Sequence, residues 1–204
     1  MGAVQGAMAR VYEYDVFISY KRRDFNVPAW IRTHFYPRLL ELLDNNLDRD
    51  VKIFFDESVP GGDAWPLTVR DALRHARILV PVCSPKYFLD EWCLAEWHSM
   101  AKREQLTGMA TPSHPQGLIY PVIFCDSDNF PKYAKDRRMH DLKPWNQPWP
   151  QFQDTIAYLD FYRQVERIAV ELVRLFDTVP SWRPDWPVDT ADPEPPATPR
   201  LPRF

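Results

Sequence analysis

Residues Ile78 to Trp97 read ILVPVCSPKYFLDEWCLAEW, and this stretch decides the fold. Its first part, Ile78 to Val82, is a short apolar run rich in β-branched residues, the composition of a strand covered on both faces. Ser84 and Pro85 break the run, and a helix is predicted from Asp90 or Glu91 to about Glu104. Residues four apart in a helix share a face, so Trp92 lies one turn below Glu96. An indole and a carboxylate then point the same way. Most helical glutamates are solvated surface charges and most helical tryptophans are packing, so the pair gains meaning only from the elements around it.

Working outward, Tyr14 to Tyr20 (YDVFISY) is a strand with a buried apolar centre, interrupted by Lys21, Arg22, Arg23 and Asp24. Ile31, Phe35, Leu39 and Leu42 recur at helical spacing between Pro28 and Leu43, with Asp24 or Asn26 available as cap. Asn45, Asn46, Asp48 and Asp50 mark a turn before a second strand, Val51 to Phe55. A loop carrying Pro60, Gly61 and Gly62 follows, then a helix from Pro66 to Ala76. Beyond the opening stretch, a polar connection from Thr107 to Gln116 leads to a fourth strand, Leu118 to Phe124, weakened by Pro121. Residues 126 to 150 are irregular and carry four prolines, with a short fifth strand expected near Met139 to Lys143. The last helix, Ile156 to Phe176, is strongly periodic. The chain therefore divides into a flexible N-terminal segment, 1–11, a domain over 12–178 and a proline-rich tail, 179–204, expected to be extended or disordered or to strap back through Trp182 and Trp186.

Strands alternating with helices imply parallel pairing, because each crossover needs a helix to return the chain. Five such strands fit an α/β, flavodoxin-like doubly wound sheet in the order 2-1-3-4-5, with helices on both faces. Strands 1 and 3 are then neighbours, and their loops leave in opposite directions to open a crevice. That crevice receives Tyr20, Lys21 and Arg22 from one side and Trp92 and Glu96 from the other.

Composition narrows the classes. At 204 residues and 45% hydrophobic, the chain can bury one good core. A net charge of −3 offers no basic footprint for direct nucleic-acid binding. The three cysteines, Cys83, Cys93 and Cys125, read as reduced thiols, and the scattered histidines show no metal-ligand spacing. No apolar run reaches the roughly 18 residues of a membrane span, and MGAVQGAMAR lacks a signal core. Gly6 stands where a myristoylation pattern needs Ser or Thr. A cytoplasmic protein without membrane attachment is expected.

Together YDVFISYKRRD, IFFDESVPGG and the opening stretch, with its Trp92-Cys93-x-x-Glu96 arrangement after a Ser-Pro turn, resemble the TIR domain family over about residues 12 to 176. The resemblance implies one of two functions. Scaffold TIR domains mediate TIR-to-TIR assembly in signalling. Enzymatic ones, in bacteria, plants and axons, cleave NAD+ to nicotinamide and a linear or cyclic ADP-ribose product, and carry a glutamate in the third helix, the position of Glu96. By the same resemblance Tyr20, Lys21, Trp65 and Trp92 become adenine- or ribose-contacting candidates, with Lys21 or Arg22 suited to phosphates. NAD+ is then substrate rather than cofactor, since no G-x-G-x-x-G follows the first strand. Self-association and an upstream sensor or activator are the expected partners, and a stand-alone domain of this kind resembles prokaryotic antiviral immune proteins. The noncatalytic scaffold stays open as the alternative. A receiver-like domain is weaker, because only Asp15 and Asp24 flank the first strand. The long first helical region, the enlarged 126–150 segment and the tail depart from a minimal TIR domain.

Overall fold

Strand β1 (Tyr14–Ser19) divides two cores by simple alternation. Val16, Ile18 and then Tyr20 turn to one face of the sheet, and Phe17 turns to the other. The computed structural model describes residues 12–55 and 65–189, and within them β1 lies between β2 (Ile53–Phe55) and β3 (Ala76–Cys83). With β4 (Val122–Ile123) and β5 (His140–Asp141) the parallel order is β2-β1-β3-β4-β5, the doubly wound order expected.

The first core faces α1 (Val27–Trp30), α2 (Tyr36–Asp44) and α6 (Ile156–Phe176). The second faces α3 (Trp65–Arg74) and α4 (Glu91–Thr107), with Ala134 of the short helix α5 (Lys132–Lys135) at its edge. Between α1 and α2 the chain widens into a π-helical turn, Ile31–Phe35, where the Tyr36 amide donates to the Ile31 carbonyl. Pro37 explains the widening: it has no N–H to give the Thr33 carbonyl, which instead accepts from Gln153 Nε2 at 3.2 Å.

Several predicted elements change length for identifiable reasons. The fourth strand contracts from Leu118–Phe124 to Val122–Ile123, with only an isolated bridge between Ile119 and Leu79, because Pro121 interrupts the ladder. The fifth contracts from 139–143 to His140–Asp141, and the second begins at Ile53 rather than Val51. Helix α3 ends at Arg74 rather than Ala76, because Ala76 already pairs with Tyr14 in the sheet. The loop with Pro60, Gly61 and Gly62 lies outside the described residues.

The segment 126–150 divides between the cores: Phe130 and Ala134 pack on the second, and Leu142 and Trp145 on the first. Trp30 Nε1 donates to the Trp145 carbonyl at 2.8 Å, and His34 Nε2 lies 3.1 Å from the Trp149 carbonyl. His34 is fully buried, which lowers its pKa and keeps the ring neutral. The tail, as far as Asp189, straps across the ends of α3 and α4. Trp182 stacks on His75 at 5.1 Å and donates to the Arg74 carbonyl, while the Asp189 amide donates to Ser99 Oγ at 2.7 Å. Buried Arg103 completes this end by donating to the Leu73 and Ala76 carbonyls beneath the Trp186 ring. Burial lowers its pKa to about 10, so the guanidinium stays charged at neutral pH.

Candidate active site

The last pair in the β1–β3 ladder is Ser19 opposite Pro81. It lies at the carboxyl ends of neighbouring strands, where the sheet order reverses and open α/β folds place their ligands. The alternation that turns Val16 and Ile18 away leaves Ser19 on the α4 side with Phe17. Its side chain is buried, and its Oγ donates to Glu96 Oε2 at 2.5 Å.

The Ser-Pro turn supplies the next layer. The Tyr87 amide donates to the Ser84 carbonyl and Oγ, at 3.0 and 3.3 Å, bending the chain into the single 3-10 turn Tyr87–Leu89. This drives the Tyr87 ring beneath α4, where its hydroxyl lies 2.8 Å from Ser19 Oγ and 3.3 Å from the Cys93 carbonyl. Burial, followed by the nearby Cys93 and Glu96, raises the Tyr87 pKa well above the ordinary range, so the phenol keeps its proton. Burial raises the Cys93 thiol in the same way, with Glu96 next in effect, and Cys93 is packed in the second core.

Asp90 sets where α4 begins. In an extended conformation it accepts from the Cys93 amide at 3.0 Å, a side-chain N-cap, and its other oxygen is ion-paired with Lys21. The loop leaving β1 is thereby tied to the start of the helix that carries Trp92 and Glu96. Burial would raise the Asp90 pKa, but Lys21 and the Cys93 amide outweigh it and hold the carboxyl below its ordinary value.

Glu96 and Trp92 are both half-buried on α4, one turn apart. Lys21 borders the same helix start but is engaged with Asp90, and Arg22 is exposed in the turn beyond. Tyr20 points elsewhere: its buried ring packs against Phe55 at 5.3 Å on the opposite face of the sheet. Trp65 is the first residue of α3, and its side chain lies outside the described part. Ser19, Tyr87 and Asp90 were not singled out from sequence. The signals that locate them are period-two alternation from Phe17 for Ser19 and, for Asp90, an aspartate just before an apolar helix.

A carboxylate fixed by a buried hydroxyl beside an indole can stabilise a developing cation and accept hydrogen bonds from a ligand's hydroxyls. Among the described residues, no group of His, Cys, Asp and Glu is placed to hold a metal, and no helix is long and apolar enough to cross a membrane.

The TIR domain of a Toll-related receptor, TRR-2 from Hydra magnipapillata, is 16% identical, with 74% of this chain and 98% of that one covered at a TM-score of 0.44. The TIR domains of the activated Roq1 resistosome, which directly recognizes the pathogen effector XopQ, are 19% identical over 77% of this chain and 84% of that one, at a TM-score of 0.33. No curated protein matches the chain. The family profile described as TIR domain matches residues 16–167, from the first strand well into the last helix, and the chain belongs to the TIR domain family.

Proposed function

We propose that this TIR domain is an NAD+ nucleosidase, cleaving NAD+ to nicotinamide and either ADP-ribose or a cyclic ADP-ribose isomer. The observation that carries the reading is the placement of Glu96. Its Oε2 is hydrogen-bonded to Ser19 at the mouth between β1 and β3, and the Trp92 indole lies one turn away.

The reaction suits a single carboxylate. The bond between the anomeric carbon and the pyridinium nitrogen breaks with its electron pair going to the ring, so nicotinamide departs as a neutral molecule and needs no donated proton. Ordinary glycoside hydrolysis differs, because an alkoxide-like leaving group calls for a second, protonated carboxyl. Positive charge grows on the anomeric carbon, where the Glu96 carboxylate stabilises it and accepts from a ribose hydroxyl. Water then adds to that carbon and releases a proton, giving ADP-ribose. A ring nitrogen of the adenine adding instead gives the cyclic product.

Among the substrate-binding candidates, Trp92 shares the carboxylate's face and is suited to stack on a base. Lys21 reaches phosphates only by exchanging Asp90 for them, Arg22 is exposed beside it, and Tyr20 contributes a stacking face only by turning away from Phe55. Trp65 opens α3 from the neighbouring loop. The wider proposal carried from the family is a cytoplasmic role in prokaryotic antiviral immunity. An upstream sensor triggers self-assembly, and contacts between copies complete the site.

The test is nicotinamide release from NAD+ by the purified protein over a wide concentration range, beside folded Glu96→Ala. We expect turnover that rises faster than protein concentration and falls at least about 100-fold in the variant. Equal turnover in both proteins removes Glu96 from the chemistry. A protein that stays silent even when concentrated either lacks its activator or acts as the scaffold.

A further inference from the structure

We propose that Ser19 and Tyr87 are positioning residues, forming an ordered donor chain from the Tyr87 hydroxyl to Ser19 Oγ to Glu96 Oε2 that fixes the reactive carboxylate. The kinetic half of this inference rests on the NAD+-cleavage reading; the hydrogen-bonding half does not.

Counting protons gives the chain its direction. Ser19 has one hydroxyl proton, and an acceptor carboxylate stands 2.5 Å from its Oγ. With that proton given to Glu96, Ser19 acts only as acceptor toward Tyr87, 2.8 Å away. Tyr87 also has one proton, and of its two acceptors Ser19 is nearer than the Cys93 carbonyl at 3.3 Å. Both donors therefore point toward Glu96, each polarising the next.

Burial makes the order durable. Tyr87 has no exposed surface and Ser19 has 1%, so water has no route to substitute for either hydroxyl. Ser19 is set by the β1–β3 ladder, and Tyr87 is set by the Ser84 turn and by edge contacts with Phe88 and Trp97. Anchoring Oε2 to this wall arrests rotation of a side chain that otherwise has several rotamers, the preorganisation a charge-stabilising group needs. The charge that Glu96 meets grows only in the transition state, so losing the anchor lowers turnover more than it weakens binding.

The titratable groups around the chain are Tyr87 and Cys83 from the strand and turn, Cys93 and Asp90 from α4, and Lys21, which is paired with Asp90. Burial holds the phenol and both thiols protonated, so they do not change charge where a carboxylate titrates.

Two measurements test the proposal in wild type, Ser19→Ala, Ser19→Thr and Tyr87→Phe. The first follows the Glu96 side-chain carboxyl carbon by NMR against pH, assigned through its loss in Glu96→Gln. We expect the midpoint to rise by about one pH unit in Ser19→Ala, by less in Tyr87→Phe, and to return toward wild type in Ser19→Thr, which keeps the hydroxyl. An unmoved midpoint in Ser19→Ala overturns the chain. The second is steady-state nicotinamide release, where Ser19→Ala should lose roughly 10- to 100-fold in kcat with KM within about twofold, and Tyr87→Phe roughly threefold in kcat. Unchanged kcat, or a loss carried by KM, overturns the positioning role. If wild type releases no nicotinamide, NAD+ cleavage fails as a reading, and if Glu96→Gln keeps its rate, Glu96 leaves the chemistry; in both cases the titration still decides the donor chain.

Discussion

Glu96 and Glu104 lie eight residues apart on α4 in opposite surroundings. Glu104 is 2% exposed and accepts four hydrogen bonds: from the Leu118 amide at 2.7 Å, the Ile119 amide at 3.2 Å, and both terminal nitrogens of Arg137. Arg137 in turn lies over the Trp97 ring. Glu96 is half-buried at the mouth of the sheet, where its Oε2 accepts from the neutral Ser19 hydroxyl. A carboxylate whose lone pairs are filled by amides and a guanidinium is a joint, fastening the approach to β4 and the segment after α5 onto α4. A half-buried carboxylate steadied by a buried hydroxyl at the edge of a crevice is instead placed where a ligand can reach it.

The largest expected effect comes from breaking the joint. Glu104→Ala leaves two buried amides and a largely buried guanidinium without their acceptor, and should cost about 3 kcal/mol in denaturant unfolding. Glu96→Gln keeps an acceptor for Ser19 and should stay within about 1 kcal/mol of wild type while losing nicotinamide release. Equal destabilisation by the two variants would erase the distinction between joint and site.

Gly117 sharpens the same contrast. A Cβ built there meets Glu104 Oε1 at 2.5 Å and Arg137 Nη1 at 3.3 Å, so only glycine lets the chain pass this close to the ion pair. Gly117→Ala should cost about 1–3 kcal/mol, most of it absent when measured in a Glu104→Ala background. A cost that persists without the Glu104 side chain places the strain elsewhere.

The sheet order and the shared face of Trp92 and Glu96 were legible because both follow from periodicity, of two in strands and 3.6 in helices. The two glutamates looked alike for the opposite reason. The partner that makes Glu104 structural, Arg137, is 33 residues away in a segment with no period to place it. Ser19 follows from alternation with Phe17, whereas the more conspicuous Tyr20 just past the strand belongs to the other face. Tyr87 gave no signal, since an aromatic in a Ser-Pro turn reads as loop until the turn is seen to bury it. Pro37 breaks the helix expected between Pro28 and Leu43, and no local pattern tells which side chain satisfies the carbonyl it abandons.

Asp90 yields the smallest effect and a test of how the site's frame depends on charge. Its side chain caps α4 and takes the Lys21 ammonium, and these interactions hold its pKa below the ordinary 3.8 even though burial pulls the other way. A carboxyl depressed in the folded state stabilises above its unfolded pKa and loses that contribution as pH falls through the folded one. Asp90→Ala should therefore cost about 1 kcal/mol near neutral pH, with the gap from wild type narrowing once pH drops below about 4. A gap that stays constant into strong acid would mean that the cap works as a neutral hydrogen bond and that Lys21 adds nothing to it. Lys21→Met separates the two contributions: it removes the ion pair and keeps the cap, so it should retain the larger share of stability while flattening the acid dependence. If the cap and the ion pair are this separable, Lys21 can leave Asp90 for a phosphate without unwinding the first turn of α4, and the face carrying Trp92 and Glu96 stays in register during the exchange.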